Sequence, residues 1–390
     1  MSDLKPLDLL DIDALLTDEE RQIRDLARDW VRDRILPEVE DWYEHGEFPA
    51  RELAKELGGQ LGFFGMQLDD GEGATVGPVA YGLVELELEA GDSGLRSFVS
   101  VQSALAMYAI HAFGSDEQKA EWLPRMRSGE AIGCFGLSEP DSGSDPGSMR
   151  TVAKRDGDDW ILSGTKMWIT NGSVSDVAIV WANTDDGIRG FAVACDLPGF
   201  SAPDIHKKMS LRASVTSELV LDDVRVPASA MLPAVEGLRG PLSCLNEARY
   251  GIVWGVMGAA RACFESALNY AKERVQFGKP IGAFQLTQKK LTDMALELNK
   301  GTLLAYHLGR MKEQGRLRSQ QVSIGKLNNT REAIAIARTA RGILGANGIT
   351  LEYPVMRHMT NLESVITYEG TEEIHTLVIG ETLTGLRAFT

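Results

Sequence analysis

The chain has 390 residues, 44% of them apolar and 25% charged, the values of an ordinary globular protein long enough for more than one hydrophobic core. Its net charge of −16, from 40 basic and 56 acidic side chains, argues against nucleic acid or an acidic membrane surface as its main partner. Cys134, Cys195, Cys244 and Cys263 lack C-x-x-C spacing and the six histidines form no ligand pattern, so neither a disulfide scaffold nor a metal site is expected.

Met1 to Glu20 is acidic and carries no basic-then-apolar leader, which points to a reducing cytoplasm. Thr17 with Glu20 forms a capping-box signal, after which Ile23, Leu26, Ala27, Trp30 and Val31 keep helical spacing until Pro37. Gly59, Gly62 and Gly65 follow no strand and are not read as a dinucleotide fingerprint. Ser115 with Gln118 offers a second cap, and Pro124 is expected to stop or kink that helix. In the middle third, Asp159 to Leu162, Ser163-Gly164 and Thr165 to Thr170 read as strand, turn and strand. Further strands are expected at Val177 to Ala182, Gly190 to Cys195 and Glu218 to Val226, which together suggest an antiparallel barrel or sandwich. Helical spacing then returns over Glu247 to Arg274, Gln285 to Gln314 and Val322 to Leu344, enough with a C-terminal helix to close a bundle. The most apolar run, Tyr250 to Ala260, is too short for the ~20 residues that a membrane span needs. The expected fold is therefore α+β and multidomain: an N-terminal helical domain (1–133), a β-barrel domain (134–236) and a C-terminal four-helix-bundle domain (237–390).

Two stretches in the middle carry chemistry. Cys134-Phe-Gly-Leu-Ser-Glu-Pro-Asp-Ser-Gly-Ser-Asp145 runs from an apolar start into a loop of hydroxyls and glycines. It reads either as a donor-rich bed for an anionic or heteroaromatic ligand or as a tight loop capped by Asp and Ser. Lys166-Met-Trp-Ile-Thr-Asn171 sets a flat ring beside a hydroxyl, which a core strand would also do. Near the end, Thr367-Tyr-Glu-Gly-Thr371 places a carboxylate at a loop-to-helix junction. There a flexible backbone can aim it and desolvation can raise its pKa toward that of a useful base.

These segments together resemble the acyl-CoA dehydrogenase family, and the likeness spans the whole chain. The resemblance implies FAD as cofactor, with Phe135, Gly136, Leu137, Ser138, Gly143 and Ser144 lining the flavin. It also implies that Trp168 and Ile169 pack against the ring and that Thr170 donates near N5. Arg274-Val-Gln-Phe277-Gly with Gln285, and the turn Leu344-Gly345-Ala346-Asn347, resemble stretches that reach FAD across a subunit boundary. Ala346 stands where relatives have glycine. Thr371 and Glu373 complete the implied cofactor set. The family position of Glu369 implies the catalytic base that takes the α-proton of an acyl thioester, with its own N–H and a ribityl hydroxyl meeting the charge on the thioester oxygen. Ser144, Cys244, Leu245, Asn246, Arg249, Tyr250, Gly251, Gly370 and Phe389 are implied contacts for acyl-CoA.

Within the family, Asp92-Ser-Gly-Leu-Arg-Ser-Phe-Val-Ser-Val-Gln-Ser103 resembles the glutaryl-CoA dehydrogenase branch. There Arg96 and Ser97 hold a distal carboxylate and Glu89 orients the arginine. An arginine in a pocket for a plain acyl chain would be an uncompensated buried charge, whereas a carboxylate gives it a bidentate partner. The resemblance further implies dehydrogenation of glutaryl-CoA with decarboxylation, electron-transferring flavoprotein as acceptor, and a homotetramer built as a dimer of dimers. A short-chain acyl-CoA dehydrogenase or oxidase, with Arg96 structural, is the alternative.

Overall fold

The computed structural model describes residues 4–69 and 75–388; Phe389 lies outside them. The first long helix, Asp18–Trp30, opens on the expected reciprocal cap: Glu20 N–H donates to Thr17 Oγ1 at 3.2 Å and Thr17 N–H to Glu20 Oε2 at 2.8 Å. It continues through Val31–Ile35 and ends before Pro37. Helix Asp116–Arg127 uses the Ser115–Gln118 box but does not stop at Pro124. A proline removes one backbone donor, and the buried Trp122, Leu123 and Met126 hold the remaining turn in place.

The central third is one curled sheet of seven strands: β1 (Gly133–Gly136), β2 (Val152–Asp156), β3 (Asp159–Thr170), β4 (Val177–Thr184), β5 (Gly187–Ala194), β6 (Phe200–Ser201) and β7 (Thr216–Pro227). Its order is β1-β4-β2-β3-β7-β6, with β5 on β4. Pairing is mostly antiparallel, but β1 lies parallel to β4, which brings the flavin-type loop after β1 to the same side as β3. The expected turn at Ser163-Gly164 is a bulge inside a continuous β3, where the register against β7 shifts between Leu162 and Gly164. Gly164 has φ 148°, and a Cβ there would sit 2.5 Å from Thr151 Oγ1, so only glycine fits.

The last third holds helices Arg239–Glu273, Gln285–Glu313, Ser319–Leu344, Pro354–Val365 and Glu372–Thr384. The long one begins at Arg239 rather than Glu247, because Pro241 in its first turn needs no backbone donor. Two cores form. One lies inside the sheet, around Leu162, Phe191, Leu219 and Val224. The other runs without interruption from Leu16 through Trp254 to Val365, so both helical regions share it.

Candidate active site

The loop Tyr368-Glu369-Gly370 joins two helices of the bundle, and buried cations fix it by its three consecutive carbonyls. Lys326 Nζ donates to the Tyr368 carbonyl at 2.9 Å and to the Gly370 carbonyl at 2.8 Å. Arg249 Nε donates to the Glu369 carbonyl at 2.6 Å. Glu369 is held at φ 54°, a left-handed conformation that a non-glycine residue keeps only when its surroundings impose it. Thr371 then caps the last helix through Ile374 N–H. Glu369 Oε2 is buried and has no hydrogen-bond partner. Burial raises its pKa, against the pull of Arg96, Lys326 and Arg249 toward the charged form. A half-buried carboxylate with a free, shielded oxygen and a raised pKa suits a base at neutral pH.

Arg96 lies completely buried on the facing helix Ser93–Ser100. Its Nε donates to Glu89 Oε2 at 2.7 Å, and Ser93 Oγ holds the other oxygen of Glu89 at 2.9 Å. One terminal nitrogen meets the Tyr368 hydroxyl, which Ser97 Oγ also approaches at 3.3 Å. The other, Nη1, is buried with no partner. Glu89 fits because Gly255 faces it: a Cβ there would lie 2.1 Å from Glu89 Oε2. Hence Glu89, Arg96, Ser97 and Glu369 are brought together, with Tyr368 touching Arg96 and Ser97 from the residue before Glu369.

On the other side, Met167 N–H donates to the Ser138 carbonyl at 2.9 Å and Asn171 Nδ2 to the Gly133 carbonyl at 3.3 Å, fastening the end of β3 to β1 and its loop. Glu139 pins the start of the loop, accepting from Lys166 Nζ at 2.8 Å and from the N–H groups of Arg150 and Thr151 at 2.6 and 3.0 Å. Trp168, at φ 64°, stays 62% exposed, and Phe277, at φ 51°, stays 94% exposed. Strained backbone that holds large rings out in water is what a flat aromatic ligand shared with another chain would need. The residues present thus fit a flavin. Phe135, Gly136 and Leu137 are buried, Gly143 and Ser144 on the loop are exposed, and so are Arg274 and Gln285 in the last third. The side chain of Ile169 faces the sheet interior, so it offers the ligand only its backbone. Gly345, Ala346, Asn347 and Glu373 are exposed, and Leu344 is buried in the core.

The stretch that opens the long helix divides. Gly251 packs against Glu85, and Asn246 Oδ1 is buried without a partner, whereas Leu245 is half-buried. Cys244 lies in the core, and the Tyr250 hydroxyl is engaged with the Pro78 carbonyl at 2.8 Å. Glu247, the other carboxylate on this turn, is held by Lys312 at 2.8 Å through both oxygens, so it lacks the unengaged oxygen that Glu369 has. Sequence reasoning did not single out Lys326, Glu85, Tyr81 or Glu139. Tyr368 was visible only as a neighbour of Glu369.

Three domain families match the chain: Acyl-CoA dehydrogenase, N-terminal domain, over residues 17–130; middle domain, over 134–224; and C-terminal domain, over 236–384. A crystal structure of glutaryl-CoA dehydrogenase from Mycobacterium smegmatis is 67% identical, with a TM-score of 0.98 over 99% of this chain and 100% of that one. Another from the same organism, in complex with FADH2, is 60% identical, with a TM-score of 0.97 and the same coverage. The mitochondrial short-chain specific acyl-CoA dehydrogenase of Bos taurus is 34% identical over 93% of this chain and 90% of its own. The chain belongs to the acyl-CoA dehydrogenase family.

Proposed function

We propose that this flavoprotein acyl-CoA dehydrogenase converts glutaryl-CoA to crotonyl-CoA and CO2. One observation carries the choice of substrate: Arg96, completely buried, keeps Nη1 unpartnered within one tyrosine of an unpartnered oxygen of Glu369. A buried guanidinium nitrogen left without an acceptor is costly unless a ligand supplies one. The 67% identical relative supports the same reading. FAD is the cofactor; Ser138 and Trp168 would hold it, and it would supply a hydride acceptor for the β-hydrogen of the acyl chain.

The residues divide the remaining work. Arg96 and Ser97 anchor the distal carboxylate, fixing the acyl chain so that its α-carbon faces Glu369. Glu369 Oε2 takes the α-proton. Its backbone N–H, set by the left-handed turn, donates to the thioester oxygen as charge builds there. After dehydrogenation the carboxylate can leave as CO2, its electrons running through the new double bond toward the thioester. Protonated Glu369 then returns its proton to the carbon chain.

Electron-transferring flavoprotein is the proposed acceptor and a cytoplasmic dimer of dimers the proposed form. The exposed Phe277, Arg274 and Gln285 support the latter, since each would be covered by a neighbouring subunit. No described helix is long and apolar enough to cross a membrane. Incubation with glutaryl-CoA and a dye acceptor, with products identified by mass, tests the reaction. Glutaconyl-CoA without CO2 would remove decarboxylation, and no turnover of glutaryl-CoA beside rapid turnover of butyryl-CoA would favour a short-chain enzyme. The bovine relative supports that second reading.

A further inference from the structure

Glu85 sits one turn before Glu89 on helix Pro78–Gly91 and is completely buried. Neither of its oxygens makes a well-formed hydrogen bond, and the Tyr81 hydroxyl one turn earlier, which faces it, makes none either. The long helix makes room for it with a second glycine: a Cβ on Gly251 would lie 3.3 Å from Glu85 Cδ and Oε2. Gly251 and Gly255, four residues apart, therefore seat Glu85 and Glu89 side by side along one groove. Arg96 lies beside the same groove, its Cδ 3.3 Å from where a Cβ on Gly255 would sit, and its Nη1 is buried and unpartnered.

The charges around Glu85 decide what form it takes. Arg96 from helix Ser93–Ser100 is balanced by Glu89 on Glu85's own helix. Glu369 faces it from the catalytic loop, with Lys326 and Arg249 behind that loop. On the long helix, Glu247 is neutralised by Lys312 of helix Gln285–Glu313. An ionised Glu85 would thus add an unpaired like charge beside a substrate anion. Burial pushes its carboxyl up to about 8, with Arg96 opposing, so the acid form prevails at neutral pH.

We propose that Glu85 is a second specificity residue of the acyl pocket: its neutral carboxyl donates a hydrogen bond to the distal carboxylate of a dicarboxylic acyl thioester, alongside Arg96 Nη1. The inference rests on the reading of Arg96 as that carboxylate's anchor. Glu85 keeps its proton throughout; it lends a donor to one oxygen while the guanidinium serves the other. Once ionised it offers only lone pairs and a like charge, so the preference for a dicarboxylic substrate is a property of the acid form. That preference is present below the titration of Glu85 and is lost as pH rises through it.

The test is the ratio of kcat/KM for glutaryl-CoA to that for butyryl-CoA, measured on the holoenzyme across neutral and alkaline pH. Ionisation of Glu369 affects both substrates and cancels in the ratio. In the unaltered enzyme the ratio falls by about tenfold per pH unit above the titration of Glu85. In Glu85→Gln, whose amide donates at every pH, the ratio is flat and high. In Glu85→Leu it is flat and low. Flavin absorbance reports whether each variant is folded, and should the leucine variant fail to load flavin, the comparison of the unaltered enzyme with the glutamine variant decides. A high ratio in the unaltered enzyme that does not change with pH, or a leucine variant that keeps it, overturns the proposal while leaving Arg96 as the anchor. A ratio below one in the unaltered enzyme at every pH removes the anchor reading and this proposal with it.

Discussion

Lys326 brackets Glu369: its ammonium donates to the carbonyl before the carboxylate's residue and to the carbonyl after it, at 2.9 and 2.8 Å. The cation holds the backbone in its left-handed turn and also favours the ionised carboxylate. Lys326→Met removes both effects. Its catalytic rate should fall, and the rising limb of kcat/KM against pH should move to higher pH by about one unit or more, because loss of a nearby positive charge raises a carboxyl pKa. A rate loss with an unmoved limb would limit the lysine to a structural role.

Glu369→Gln keeps the shape of the base but cannot take a proton. Dehydrogenation should drop by about 10²–10⁴-fold, with acyl-CoA binding retained. Stopped-flow bleaching of the flavin measures the first, and equilibrium titration the second.

Arg96→Met should weaken glutaryl-CoA turnover by ~2–5 kcal/mol in kcat/KM. The loss should fall far more heavily on glutaryl-CoA than on butyryl-CoA, since only the former has an anion to lose. Equal losses on both would make the arginine a part of the scaffold.

Gly255→Ala places a methyl group 2.1 Å from Glu89 Oε2 and 3.3 Å from Arg96 Cδ. The carboxylate has to move and the guanidinium loses its orienting partner. We expect a destabilisation of roughly 1–3 kcal/mol from overpacking, read by thermal unfolding, together with a lower preference for glutaryl-CoA.

Glu139→Gln tests the loop anchor. Lys166 and the amides of Arg150 and Thr151 outweigh burial and hold this carboxyl down at about 2, well below the ordinary range near 4.5. A depressed carboxyl contributes stability that is full above its unfolded pKa and is lost as pH falls through the folded value. The variant should therefore be less stable by ~3 kcal/mol at neutral pH, as Lys166 is left buried and unpaired. The gap from the unaltered protein should close as pH falls from about 4.5 toward about 2, measured by urea unfolding at each pH.

Local signals read well from the sequence. The boxes at Thr17–Glu20 and Ser115–Gln118 are visible because cap and partner are three residues apart. Glu369, Arg96 and Glu89 were legible through their motifs. Gly164 was misjudged because a bulge and a turn both ask for a glycine with unusual dihedrals, and only the partner strand distinguishes them. Lys326 was invisible, since a lysine in a helix ordinarily faces water, and its carbonyl partners lie more than forty residues away. Glu85 and Glu87 were hidden, since a glutamate in a helix ordinarily faces water; both are in fact buried.

Glu85, Glu87 and Glu89 also govern the order in which the chain can assemble. Glu87 needs Arg28 at 2.8 Å and Arg261 at 2.7 Å, Glu89 needs Arg96, and Glu85 needs the gap at Gly251. Arg261 and Gly251 leave the ribosome long after helix Pro78–Gly91 does, so a nascent chain that packed this helix early would bury Glu87 without Arg261 and Glu85 without its seat. A fragment ending at the sheet lacks both Arg261 and the seat at Gly251, and we expect it to be less stable than the same residues in the full chain.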